Sequence, residues 1–483
     1  MSLLLAHDLG TTGNKASLFD ETGQRLASHT EPYPVTYPQP QWAEQDPHAW
    51  WKAVCDATHA LLAQHRVADE IAAVSFSGQM MGVVAVNAQH HPLHPAIIWA
   101  DQRAEAEAAF LRDRCGADNV YTRTGHRVSP AYTAAKILWL QRHAPDVYAR
   151  AEKFLCAKDY IVLKLTGSAV TDYSDASGSN LFDLQTRAWC QDFMDAIGLD
   201  ATKFPRIVSS IRVVGEITRA AADATGLRAG TPVVIGGGDG SCAAVGAGVV
   251  EPGDCYGNIG SSAWISFAAD APLLDAAQRT FTFHHLHPTR YTPMGTMQAA
   301  GGARDWFRQI GGPVDEDEIA RVPPGANGIL FLPYLIGERS PWWNPQARGA
   351  FVGLTMAHAR ADLARAVMEG VAYNLRLILD ALESQGAQLP AVRLIGGGAA
   401  SSVWQQILAD VFNKPIQLLE LRAEATAWGA AVAGGIGVGV YRDWSIANAQ
   451  AHVVRVIEPI AENVARYVER VARFAETYRA LNP

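Results

Sequence analysis

The feature that most restricts this chain is a motif it spells twice. Leu4-Leu5-Ala6-His7-Asp8-Leu9-Gly10-Thr11-Thr12-Gly13 stands near the start, and Tyr256-Gly257-Asn258-Ile259-Gly260-Ser261-Ser262-Ala263 opens the second half. Asp8 and Asn258 are 250 positions apart in a chain of 483 residues. In each copy an apolar run meets an acid or amide, one apolar residue, a glycine, two hydroxyls and a small residue. A second apolar run follows, at 16–19 and at 264–267. This is the pattern of strand, tight turn and strand. Its use once per half predicts two similar domains.

A second echo points the same way. Val233-Val234-Ile235-Gly236-Gly237-Gly238-Asp239 is matched by Arg393-Leu394-Ile395-Gly396-Gly397-Gly398-Ala399. Each is an apolar strand ending in three glycines, where positive φ and close backbone approach cost little. Helix-like sequence follows each, at 241–249 and 402–412. Further helices are expected at 134–143, 362–382 and 461–481, and a Pro- and aromatic-rich loop at 33–51. Strands alternating with helices in both halves indicate an α/β architecture. The turn-rich stretch Val250-Glu251-Pro252-Gly253 marks the expected boundary, giving domains 1–249 and 250–483.

Composition excludes several classes. A net charge of −8 lacks the basic excess that drives non-specific nucleic-acid binding, so any phosphate must be held locally. The first nine residues have no basic n-region and do not read as a signal peptide. The charge-free stretch 425–441 is too short to span a bilayer and is expected to be a buried helix. Six cysteines without a CxxC pair read as reduced core thiols, and the expected location is the cytoplasm.

The polar residues cluster at the strand ends. Asp8, at the end of a strand, suits Mg²⁺. Gly10, Thr11 and Thr12 bring amide and hydroxyl donors to phosphate, with Lys15 as a point charge. A plain hairpin turn explains them equally well until Gly260, Ser261 and Ser262 supply a second such turn, and two turns facing each other make a phosphate clamp. Asp239 reads as a general base or as the N-cap of the helix after it. Gly397, Gly398 and Ser401 suit close approach to an adenosine, or only a tight strand-to-helix turn. Gln79, Asp101 and Arg103 suit a polyol, with Arg103 alternatively paired to Asp101 or Glu105, and Met80 and Met81 pack beside them. Trp42, Glu44, Gln45, Asp46, Trp50 and Trp51 form an aromatic and acidic cluster, in which a sugar-stacking role competes with core packing. His7, His126 and His143 read as structural. The loop with Tyr334, Glu338 and Arg339 either orders near nucleotide or bridges domains.

Together these blocks resemble the FGGY carbohydrate kinases of the actin-like, hexokinase and chaperone ATPase superfamily. The resemblance rests on Asp8 to Lys15, Gly78 to Gly82, Trp99 to Arg103, Lys136 to Leu140, Gly236 to Asp239, Gly260 to Ala263, Glu338 to Pro341 and Gly396 to Ala399. The stretch Gly349-Ala350-Phe351-Val352-Gly353-Leu354 with Asp362, Leu363, Ala366 and Glu369 is similar to the family's C-terminal signature. The likeness is greatest to the family's xylulokinase branch. It implies two actin-like (ribonuclease H-like) ATPase domains flanking a cleft, ATP with Mg²⁺ as phosphoryl donor, and a small sugar as acceptor. It assigns Asp239 as catalytic base and, with Asp8, to the metal. Thr11, Thr12, Ser261 and Ser262 go to the phosphates, Gly397, Gly398 and Ser401 to the adenosine, and Gln79 and Asp101 to the sugar. A homodimer is an assembly the resemblance leaves open. Met81 stands where xylulokinases carry His, and Gly240 where they often carry Asn. The acceptor expected is D-xylulose, with another ketose, a polyol or a sugar acid such as ribulose, erythrulose or gluconate as the alternative. A non-catalytic nucleotide sensor is the remote alternative, against which Asp239 and both phosphate turns speak.

Overall fold

The computed structural model describes residues 2–65, 67–420 and 424–482. Met1 and Pro483, the outer ends of the two expected domains, lie outside it. The apolar run at the start becomes β1 (Leu3–Leu9), buried on both faces apart from Asp8. It pairs antiparallel with β2 (Gly13–Phe19) and parallel with β4 (Ile71–Gly78). β3 (Arg25–Pro32) extends the hairpin. β6 (Pro232–Val234), its continuation β7 (Gly237–Gly238) and β5 (Val213–Glu216) complete a seven-stranded sheet of order β5-β6-β4-β1-β2-β3, with β7 on β4. The second sheet holds β8 (Cys255–Ile259), β9 (Ala263–Phe267), β10 (Phe281–His284), β11 (Tyr291–Met297), β12 (Val392–Ile395), β13 (Ile416–Leu419) and β14 (Val453–Ile457), in the order β10-β11-β9-β8-β12-β13-β14.

The sheets correspond in strand order, β3-β2-β1-β4-β6-β5 to β11-β9-β8-β12-β13-β14, with the same sense at every step. The hairpin echo thus joins true counterparts, β1–β2 and β8–β9. The three-glycine echo does not. Gly236 follows β6, whose counterpart is β13, whereas Gly396 follows β12, the counterpart of β4. The runs look alike because each meets the same local demand. Gly236 and Gly396 both have positive φ, and a Cβ would lie 1.9 Å from Phe76 O and 2.7 Å from Ile259 O respectively.

The helices are α1 (Pro47–His65), α2 (Thr133–His143), α3 (Ala157–Thr166), α4 (Tyr173–Ser177), α5 (Asp239–Gly246), α6 (Gly301–Gly311), α7 (Arg360–Glu383), α8 (Ser402–Phe412), α9 (Ala425–Gly437) and α10 (Ala461–Leu481). α1 begins inside the stretch expected to be a loop. Trp50 is buried on it, and its indole N–H donates to Gln45 Oε1 at 3.2 Å, so this tryptophan is packing. α9 is the buried helix expected in 425–441, and it lies on the first sheet although it belongs to the second half of the chain. It crosses α5, its counterpart, at glycines. A Cβ on Gly246 would lie 1.7 Å from Ala425 O, and one on Gly429 would lie 1.9 Å from Cys242 O. No helix among the described residues is long and apolar enough to cross a membrane.

Candidate active site

The first turn is braced from outside. Tyr33 Oη donates to Gly10 O at 2.6 Å, Gln45 Nε2 to Thr11 O at 2.7 Å, and the Trp99 indole to Thr11 Oγ1 at 2.9 Å. Behind the second turn, the start of α6 is laced into the backbone. Ala300 and Gly302 N–H donate to Ser261 O at 2.8 and 3.0 Å, and Gly301 N–H to Gly260 O at 2.8 Å. Among the described residues, the N–H groups of Thr11, Thr12, Ser261 and Ser262 have no acceptor. Rigid turns with spare amides are what an anion requires. The Ala299-Ala300-Gly301-Gly302 run that locks the second turn escaped sequence reading; its signal is two small residues and two glycines at a helix start.

The halves meet at Asp8. Its Oδ2 accepts from Thr426 Oγ1 at 2.6 Å, in the first turn of α9. Lys15, opposite Asp8 in the β1–β2 register, brings its ammonium to 3.6 Å from Glu424, which also takes Arg25 at 2.7 Å. Asp239 is the first residue of α5, with Gly238 at the N-cap. It is therefore not the cap that sequence allowed: its carboxylate accepts from the N–H of the next residue, Gly240, at 2.7 Å. Burial, and then the Asp8 charge, push the Asp239 carboxyl up to about 7, against the pull of that hydrogen bond.

A cavity of about 410 Å³ opens between the second sheet and the helix starts, lined by Ala243, Asn258, Trp264, Gly396, Gly397 and Thr426, among others. Gly397 faces open space, whereas a Cβ on Gly398 would lie 2.4 Å from Ile259 Cγ2. Ser401 caps α8, accepting from Trp404 N–H at 3.3 Å, and is buried.

On the other side of Asp239 the wall is apolar. Met80, Phe281, Phe283 and Met294 cluster with Met81, Trp264 and Trp343. Met81 has φ 63°, and a Cβ on Gly240 would meet Met294 Cε at 3.3 Å, so Met294 borders the space an asparagine would enter. Gln79 gives its amide to Gln45 Oε1 at 2.7 Å, and its own Oε1 is buried without a partner. Lys136 holds this wall together. It is fully buried and donates to Met81 O at 2.9 Å, Ile98 O at 2.8 Å and Ala131 O at 2.5 Å.

Asp101 and Arg103 lie side by side in the buried part of the first half. Asp101 is 0% exposed, and Ala43 N–H and the Arg103 side chain occupy its oxygens at 2.6 to 3.0 Å. The Arg103 side chain is 1% exposed, is paired with Glu44 at 2.8 Å and lies 3.6 Å over the Trp42 ring. Asp101, Arg103 and Trp42 thus pack on one another in the pairing of Arg103 with Asp101 that the sequence allowed, while Arg103 Nη1, near Glu44, has no hydrogen-bond partner. The Glu338–Arg339 loop bridges domains on the acceptor side, with the Arg339 guanidinium 5.8 Å from the Trp99 ring centre. Arg127, which sequence reading missed, lies 5.4 Å over Trp343. Neither guanidinium has a hydrogen bond or a carboxylate within 4 Å among the described residues.

Comparison with known proteins fits this geometry. Residues 3–246 match the N-terminal domain of the FGGY family of carbohydrate kinases, and residues 255–438 match its C-terminal domain. The chain is 35% identical over 480 residues to the xylulose kinase of Escherichia coli K12, covering 99% of this chain and 98% of that one. The ligand-bound xylulose kinase of Lactobacillus acidophilus superposes with a TM-score of 0.95 at 29% identity, over 100% of this chain and 99% of that one. The gluconate kinase of the same organism superposes with a TM-score of 0.94 at 29% identity, over 99% and 98%. Two actin-like domains, paired turns and near-full-length similarity converge on one conclusion: the chain belongs to the FGGY family of carbohydrate kinases, with ATP as co-substrate and a small sugar as acceptor.

Proposed function

We propose that this kinase transfers the γ-phosphoryl of ATP to a hydroxyl of D-xylulose, giving D-xylulose 5-phosphate. The observation that carries the acceptor is similarity to xylulose kinases over almost the whole of both chains. We assign Asp239 as the base that orients and deprotonates the acceptor hydroxyl. The free amides of Thr11, Thr12, Ser261 and Ser262 take the phosphates, with Gly10 and Gly260 shaping the turns. The cavity at Gly397 takes the nucleoside, with Gly398 and Ser401 holding its floor. Gln79 faces the acceptor through its unpartnered oxygen, and Met80 and Met81 form its apolar side.

Asp8 and Asp239 fit Mg²⁺: they are two carboxylates close enough for one charge to raise the other's pKa. Bound there, Mg²⁺ supplies neutralisation of the charge on the transferring group. The protein's own part is positioning and electrostatics. We place the domain division at 249/250, between the two sheets. The six cysteines, all buried and unpaired, suit the reducing cytoplasm. Light scattering reads whether a homodimer, which the resemblance leaves open, forms.

A second reading, a sugar acid as acceptor, is favoured by Arg127 and Arg339, two cations with no carboxylate within 4 Å among the described residues, beside the apolar wall. ADP release measured against D-xylulose, other ketoses, polyols and gluconate decides between them. Dominant turnover with D-xylulose supports the first reading, and dominance of an aldonate supports the second. Asp239→Asn is expected to lower kcat by about 10²–10⁴-fold with the fold intact. Full turnover in that variant sinks the base assignment.

A further inference from the structure

A buried ionic cluster stands behind the site and does not line the cavity of about 410 Å³. The Lys158 ammonium lies 2.6 Å from Asp159, 2.9 Å from Asp172 and 2.9 Å from Asp175, and all four side chains are at most 1% exposed. Burying three carboxylates around one cation is costly, and hydrophobic replacements of similar size are often no less stable. Cys156, Asp159 and Asp175 lie close enough together to hold a metal ion, but the ammonium already supplies the positive charge there.

Asp172 is the member that reaches outward. Its Oδ2 accepts from Ser174 Oγ at 2.5 Å, Ser174 N–H at 2.8 Å and Ser210 Oγ at 2.8 Å. While its O–H donates to Asp172, the Ser174 hydroxyl oxygen accepts the N–H of Gly238 at 2.9 Å. Ser210 O accepts the N–H of Gly236 at 3.0 Å. Gly237 lies flat on this group: a Cβ there would be 2.7 Å from Ser174 Oγ and 3.3 Å from Asp172 Oδ2. The neighbouring strand rests on the same lysine, since a Cβ on Gly78, paired with Gly238, would lie 3.0 Å from Lys158 Cβ. The next residue of the glycine run is Asp239.

We propose that Lys158 and Asp172 are positioning residues for phosphoryl transfer: through Ser174 and Ser210 they fix the backbone of residues 236–238, and so the direction in which Asp239 presents its carboxylate. The inference rests on the reading of Asp239 as the base. Three glycines in a row have no side chains to hold their own path, so it is held by backbone groups alone, the amides of Gly236 and Gly238 among them. Hydrogen bonds drawn to an ionised acceptor are the stronger kind. A displacement of about 1 Å at a reacting group costs up to about 10²-fold in rate.

The test is Ser174→Ala, alone and in an Asp239→Asn background, with Asp172→Asn as a harsher companion. Ser174→Ala removes the link while leaving the ion cluster, so it remains informative if Asp172→Asn fails to fold. It is expected to lower kcat by about 10–100-fold, with KM for ATP and sugar within about twofold of wild type. In the Asp239→Asn background, single-turnover rates are expected to show no further loss, because the effect passes through the carboxylate. An unchanged kcat in Ser174→Ala beside an inactive Asp239→Asn overturns the positioning role alone, and so does a full additional loss in the double variant. Wild-type turnover by Asp239→Asn overturns the base reading, and the inference with it.

Discussion

Thr426 Oγ1 lies 2.6 Å from Asp8 Oδ2 across 418 positions of chain. The contact joins the first phosphate turn to the helix that the second half of the chain lays on the first sheet. Glu424, two residues earlier, holds Lys15 and Arg25 of the same hairpin. The carboxylate assigned to the metal is thus aimed by the opposite half of the chain. Thr426→Val keeps the shape and removes the donor. A hydrogen bond to a charged group is worth about 1.5–3 kcal/mol, so KM for ATP·Mg²⁺ should rise about tenfold or more. Steady-state rates at varied ATP·Mg²⁺ check this; an unchanged KM would mean that Asp8 needs no such aim.

The pH profile tests the base independently of mutation. Asp239 must be ionised to accept a proton, and its carboxyl is pushed up to about 7. Protonation removes the base, so kcat/KM for the sugar should fall on the acid side of that value and level off above it, and Mg²⁺ on the two carboxylates should move the limb to lower pH. Rates measured from about pH 5.5 to 8.5 read this limb. A flat profile through neutrality would mean that Asp239 is already ionised at pH 5.5 or is not the base.

What the sequence shows and what it hides divide along physical lines. The hairpins at Asp8 and Asn258 were legible because a turn of glycine and hydroxyls between apolar runs is a local pattern. The helices Ser402–Phe412 and Ala461–Leu481 were legible for the same reason, through local periodicity. The three-glycine runs misled as to symmetry: Gly236 and Gly396 answer the same local demand from strands that are not counterparts. The pairing of Asp101 with Arg103 was legible as an alternative because the two are neighbours in sequence, but its burial was not: Glu44 and Trp42, which enclose Arg103, lie about 60 residues away. Thr426 and the link from Asp172 through Ser174 to Gly238 could not be read at all, since they exist only across the fold.

If Asp101 and Arg103 are wall rather than ligands, their loss should cost stability before chemistry. Arg103→Met leaves Asp101 and Glu44 buried beside an empty place. Breaking a buried pair from one side costs about 3–5 kcal/mol. The urea midpoint should drop accordingly, while KM for the sugar stays near wild type in the fraction that folds. A large rise in sugar KM with an unchanged midpoint would return Arg103 to the acceptor site.

The crossing of α5 and α9 should couple stability to turnover. Gly429 stands where a Cβ would be 1.9 Å from Cys242 O, and Gly246 where it would be 1.7 Å from Ala425 O. Both obstacles are backbone, so Gly429→Ala cannot be absorbed by turning a side chain; the helices must part. Overpacking of this kind costs about 1–3 kcal/mol, and more where backbone must move. Asp239 opens one of these helices and Thr426 lies in the first turn of the other. Their separation should therefore pull the base and the Asp8 brace apart, so Gly429→Ala is expected to lower both the urea midpoint and kcat. A lowered midpoint with wild-type kcat would show that the helix starts are fixed by their own turns and that the crossing serves stability alone.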